Sequence, residues 1–179
     1  QIIGVEPEFQ LIYNLQGWYE FRRFFLGIYP KNANFFIDEC EKYFPKLFFH
    51  ERNRTTISSI LNDCPKKIVY HLAALNDKFF SFDRTSMNRT QILHSFSVVA
   101  GLDETASLEG NAERKNDFTF QFLNSNNEME FVCCEPHLKL CYCDNNNNVY
   151  SNNRRIYFHE GKQNIQKGNI LIGHIGTHL

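Results

Sequence analysis

The sequence predicts a β-rich domain, a barrel or twisted antiparallel sheet with one or two N-terminal helices. Three observations predict it. Residues 117–144 read DFTFQFLNSNNEMEFVCCEPHLKLCYCD, in which Phe118, Phe120 and Phe122 alternate with polar residues. That period of two marks a half-buried strand. Asn124 to Asn127 supply turn chemistry. Met129 to Cys134 and Leu138 to Cys143 follow around Glu135-Pro136-His137, completing a three-strand meander. The chain also carries 18 Phe and 8 Tyr in 179 residues, types that suit a pleated, half-buried surface. The alternative is α+β, with residues 8–48 helical and packed on an antiparallel sheet.

In chain order, residues 1–7 read as a lead-in. From Glu8 to about Phe25, Phe9, Ile12, Leu15, Trp18 or Tyr19, and then Arg22 and Phe25 fall near helical spacing. The segment from Trp18 onward also has strand residue types, with Gly17 as a break before it. Asn32 to Phe44 offers a helical face of Phe35, Phe36, Cys40, Tyr43 and Phe44, ended by Pro45. Pro45 to His50 is a short apolar run, and Glu51 to Thr56 reads as an exposed loop. Ile57 to Leu61 is a short strand candidate, followed by a turn at Asn62-Asp63-Cys64-Pro65. Lys67 to Leu75 and Lys78 to Phe82 read as a hairpin about Asn76-Asp77. Gln91 to Ala100 alternates at Ile92, His94, Phe96 and Val98 and reads as a strand. Glu104 to Glu113 is a further candidate, weakened by Gly110. After the meander come a loop of four consecutive Asn, a strand from Arg154 to His159, and a last apolar segment, 169–175, containing Gly173.

A length of 179 residues suits one domain spanning 1–179. A net charge of −1 gives no electrostatic basis for a nucleic-acid partner. No apolar run reaches the roughly 18 residues of a membrane span.

The six cysteines are Cys40, Cys64, Cys133, Cys134, Cys141 and Cys143. An even count together with sequons at Asn53 and Asn88 points to a disulfide-braced, glycosylated chain of the secretory pathway. Adjacent Cys133 and Cys134 point to opposite strand faces and need different partners. The expectation is that Cys40 and Cys64 each bridge to the later cluster and that one bond lies within it. Cys133, Cys134, His137, Cys141 and Cys143 lack the paired spacing of a zinc knuckle, so no metal is expected.

Asn14-Leu15-Gln16-Gly17-Trp18-Tyr19-Glu20-Phe21-Arg22 resembles the first motif of the lipocalins. In that family Gly and Trp are one residue apart, whereas Gly17 here abuts Trp18. The resemblance implies an eight-stranded barrel with a cup for a small apolar ligand. Trp18 would plug its closed end, and Phe118, Phe120 and Phe122 would line it.

The seven His residues stand beside no recognisable nucleophile motif. There is no G-x-S-x-G, H-E-x-x-H or Gly-rich phosphate loop. The expectation is a chain that is not an enzyme and takes no cofactor. Its function is read as a secreted or cell-surface binding module for an extracellular protein partner such as a receptor, ligand or host factor. A longer anchored protein could carry it as an ectodomain. The alternative is a lipocalin-like carrier of a small hydrophobic ligand.

Overall fold

The computed structural model describes residues 12–140 and 153–179. The chain is α+β, which corrects the β-rich expectation. Helices α1 (Leu15–Ile28), α2 (Ala33–Tyr43), α3 (Asn53–Thr56), α4 (Pro65–Lys78) and α5 (Arg89–Ala100) accompany a four-strand sheet and a two-strand hairpin. No barrel exists among the described residues, so the lipocalin cup has no counterpart. Residues 8–48 contribute α1, α2 and strand β1 (Leu47–Phe49), and the sheet beside them is mixed rather than antiparallel.

Local signals account for the helices. The Asn14 side chain accepts from Gly17 N at 2.7 Å, and the Asn32 side chain from Phe35 N at 3.0 Å, so each satisfies an otherwise unpaired N-terminal donor of α1 or α2. The Gly17-Trp18-Tyr19-Glu20 run thus lies inside a helix, not at the start of a strand. Pro65 opens α4, where its missing N–H costs nothing. Asn88 and Gln91 close a capping box at the start of α5, and Gly101 ends that helix at φ 67°. The first arm of the expected hairpin, Lys67 to Leu75, and its turn at Asn76-Asp77 therefore lie in α4, its second arm is the turn that follows at Phe79 to Phe82, and the strand expected from Gln91 is α5.

Hairpin β2 (Thr119–Leu123) and β3 (Met129–Cys133) pairs as expected, Phe120 opposite Val132. The third strand of the expected meander does not join it. Instead β4 (His137–Lys139) pairs with β5 (Arg154–His159), which pairs with β6 (Ile170–Thr177). The sheet order is β1-β6-β5-β4, with β1 parallel to β6.

The sheet is covered on both faces, which explains the unbroken burial of Arg155 to Phe158 in β5 and of Ile170 to Gly176 in β6. Ile156, Phe158, Ile170 and Ile172 pack with Leu26, Phe36, Leu72, Phe79 and Phe96 of the helical layer. Tyr157 and Leu171 face the other way and pack with Phe118, Phe120, Phe122 and Val132 of the hairpin. The register shifts between Tyr157 and Phe158, leaving Gly173 as the extra residue of a bulge in β6.

Candidate functional site

Helix α1 is apolar on two sides. Its inner side carries Arg23, Leu26 and Gly27 into the fold. Arg23 donates to the Tyr43 carbonyl at 2.6 Å and to Asp77 at 2.8 Å, tying α1 to the end of α2 and to α4. Its outer side carries Gly17, Phe21, Phe24 and Ile28 at spacings of four, three and four, flanked by Trp18 and Phe25. This is the seam spacing of a helix that meets another helix. Leu15 is 67% exposed, Phe24 61%, Ile28 52% and Tyr29 54%. Trp18, Phe21, Phe25 and Tyr29 form a ladder with ring centroids 5.9, 6.5 and 6.0 Å apart. Of the charges of α1, Arg22 pairs with Glu39 and Arg23 points inward, while Glu20, exposed on one flank of the seam, accepts from Gln16 at 2.8 Å.

The expected ligand-binding residues do not converge. Trp18 stands on the outer side of α1, while Phe118, Phe120 and Phe122 sit in the core between hairpin and sheet. Phe118 stacks on Tyr157 at 5.1 Å, and Phe122 meets His50 edge-on at 5.2 Å. The three rings pack between hairpin and sheet, and Phe120 and Phe122 also edge an open cavity of about 700 Å³ beside Phe48, His50 and Phe131. The opposite face of the hairpin leaves Leu123, Met129 and Phe131 exposed.

The expected disulfide framework is absent from the described residues. Cys40, Cys64, Cys133 and Cys134 are free thiols. Cys40 and Cys64 belong to the helical core, and Cys133 and Cys134 to the hairpin layer. Burial pushes the thiols of Cys40, Cys64 and Cys134 up. Cys141 and Cys143 lie outside the described residues. Of the two sequons, Asn53 is fully buried, its amide donating to the carbonyls of His50 and Ile172 at 2.9 Å each. A glycan on that nitrogen is incompatible with this fold. Asn88 is exposed, with its side-chain oxygen capping α5.

Sequence reasoning missed a cluster around Glu109. Its carboxylate accepts from the Tyr157 hydroxyl at 2.9 Å and lies 3.3 Å from Nε2 of His178 and 3.5 Å from Nδ1 of His137. On its far side, Nε2 of His137 is 3.1 Å from the Ser107 hydroxyl. Burial lowers the pKa of His137 to about 4, and burial of the Tyr157 phenol raises its pKa. His174, buried nearby on β6, is lowered to about 4 by the same desolvation. No spacing in the chain announces this cluster, because its members come from four separated segments: Ser107 with Glu109, His137, Tyr157 and His178. Among the described residues no group of three or more His, Cys, Asp or Glu is arranged to hold a metal ion.

No family model matches the chain, and no curated protein or solved structure matches it.

Proposed function

We propose that this chain is a protein-binding module whose docking surface is the outer side of α1, and that a second copy of the chain is the partner it fits. The observation that carries the reading is the uncharged seam of Gly17, Phe21, Phe24 and Ile28 on a helix already buried along its other side. A helix with apolar residues on two sides has more apolar surface than one buried face can cover. At about 200 Å² of surface per aromatic side chain, the exposed fractions of α1 and its flanking Tyr13 and Tyr29 leave roughly 700 Å² of apolar surface in water. A stable interface buries about 800 Å² per partner. The seam residues themselves carry no charge, with Glu20 on one flank, so a two-fold pairing of α1 with its copy sets apolar surface against apolar surface.

A protein partner suits this face better than a lipid surface. Helices that lie on membranes present rows of free Lys and Arg beside the apolar side. Both arginines of α1 are held within the fold, Arg22 by Glu39 and Arg23 by Asp77. Among the described residues no helix is long and apolar enough to cross a membrane. An extracellular setting for the module is supported by the exposed sequon at Asn88; the buried Asn53 and the free thiols lend it nothing.

The chain contains a single tryptophan, Trp18, at the edge of the seam, which makes it a reporter. Sedimentation velocity over a concentration series should show a dimer, with Trp18 emission shifting to the blue as it forms. Phe24→Glu should abolish both changes and leave the thermal melt unaltered. A monomer throughout with constant Trp18 emission overturns the pairing. A blue shift seen only on adding phosphatidylcholine vesicles would replace the second copy with a lipid surface.

A further inference from the structure

Beyond the docking face, the cluster around Glu109 contains an ordered relay. Ser107 and His137 form an isolated antiparallel bridge, with Ser107 N donating to His137 O at 3.2 Å and His137 N to Ser107 O at 2.9 Å. The bridge sets the two side chains against each other. Nδ1 of His137 faces two acceptors, the Glu109 carboxylate at 3.5 Å and the Glu135 carbonyl at 3.4 Å. Neither can donate, so Nδ1 carries the proton. Nε2 is then left with its lone pair toward the Ser107 hydroxyl, 3.1 Å away. Glu109 is itself fixed by the hydrogen bond from Tyr157 at 2.9 Å. The order hydroxyl, imidazole, carboxylate is the one that activates a serine nucleophile, and it arises here with no sequence motif to mark it.

Ser107 also stands at the wall of a cavity of about 710 Å³ between the first turns of α5 and the segment before β2, lined by Met87, Thr90, Gln91, His94 and Leu108 beside it. The cavity surface is mainly apolar but also carries the polar side chains of Thr90, Gln91, His94, Ser95 and Thr105, so it takes a small molecule with an apolar body and a few polar atoms. We propose that Ser107, His137 and Glu109 act on an ester of a small apolar carboxylic acid bound in this cavity.

In the first step Ser107 Oγ bonds to the acyl carbon, and its proton passes to Nε2 of His137. The Glu109 carboxylate balances the charge of the imidazolium that forms. The ester C–O bond then breaks, and His137 gives the proton to the departing alkoxide, releasing an alcohol and leaving the acyl group on Ser107. Water adds to that acyl group through the same relay, which releases the carboxylic acid and restores the hydroxyl. Burial lowers the His137 pKa to about 4, so the ring is neutral and able to take the proton at ordinary pH but is a weak base, and the Glu109 carboxylate works against that burial.

The test is labelling with a fluorophosphonate probe, read by peptide mass spectrometry, beside turnover of p-nitrophenyl butyrate. The expected result is one adduct, on Ser107, with fluoride as the leaving group. Ser107→Ala should lose both adduct and turnover. Glu109→Gln, which keeps the shape and removes the charge, should label about a hundredfold more slowly. The wild-type arm needs no variant: no adduct on Ser107, under conditions that saturate an authentic serine esterase, overturns the proposal. Equal labelling of wild type and a folded His137→Gln protein overturns it too, because a bond that is merely structural does not set the reactivity of Ser107.

Discussion

The side-chain amide of Asn53 spans two elements, donating to the carbonyl of His50 and, across 119 residues of chain, to that of Ile172, each at 2.9 Å. The residue is fully buried and opens α3 over the β1–β6 edge. Removing the amide strands two buried carbonyls. Asn53→Ala should therefore lower the unfolding free energy by about 2 kcal/mol, read as a shift of the urea midpoint. In protein secreted by eukaryotic cells, peptide mapping after deglycosylation should find Asn53 unmodified and any glycan at Asn88. A glycan on Asn53 in correctly folded protein would contradict this placement.

Acid should destabilise the fold through histidines. His137 and His174 are each lowered to about 4 by burial, against roughly 6.5 in an unfolded chain. Between those values the unfolded chain binds more protons, so stability is full above about pH 6.5 and is lost as pH falls toward 4. Each histidine contributes on the order of 2–3 kcal/mol to that slope. Urea midpoints followed from neutral pH downward should fall through this window. His174→Gln should flatten the fall even where it lowers the starting stability. An unchanged slope in that variant would mean that His174 takes up protons alike in the folded and unfolded chain.

The strands that were legible in the sequence are those whose partners lie close along the chain. Phe118, Phe120 and Phe122 alternate because β2 has one covered face, and the turn to β3 is held locally, with Asn124 Oδ1 accepting from Asn126 N and Glu128 N. Helix α4 was misread because its polar pair looks like a turn. Asn76 is polar for a distant reason: its side chain accepts from Lys46 N at 2.9 Å, while Asp77 takes Arg23. Helix α5 carried its own signals in the Asn88 to Gln91 capping box and in Gly101. The alternation at Ile92, His94, Phe96 and Val98 obscured them, although the buried residues are Leu93, Phe96 and Ser97. The cluster of Ser107, Glu109, His137, Tyr157 and His178 was not legible at all, because only the folded chain brings its members together.

Arg23 is a buried charge that links the first helix to the rest of the helical layer. Its guanidinium lies over the Phe44 ring at 4.6 Å and holds both the Tyr43 carbonyl and Asp77. Asp77 keeps partial access to water, so its loss of a partner is partly compensated. Arg23→Ala should cost about 2–3 kcal/mol, below the upper range for breaking a fully buried pair. Trp18 emission should report α1 loosening before global unfolding, and a single transition with the wild-type midpoint would show that α1 does not depend on Arg23.

Gly173 decides whether the hairpin can lie on the sheet. It is the extra residue of the β6 bulge, and its φ is not in the left-handed region, so the constraint is space alone. A Cβ built there would stand 2.4 Å from Cδ2 of Phe120 and 2.9 Å from Sγ of Cys134. Both neighbours are buried, so neither can swing into solvent to make room. Gly173→Ala should therefore push β2 away from the sheet and cost about 1–3 kcal/mol or more. Phe120→Leu, by removing the ring that collides, should recover part of that loss in the double variant, although alone it leaves a void and destabilises. A double-mutant cycle in urea measures the coupling between the two positions. Additive losses would mean that the hairpin does not approach the bulge as closely as the 2.4 Å contact requires.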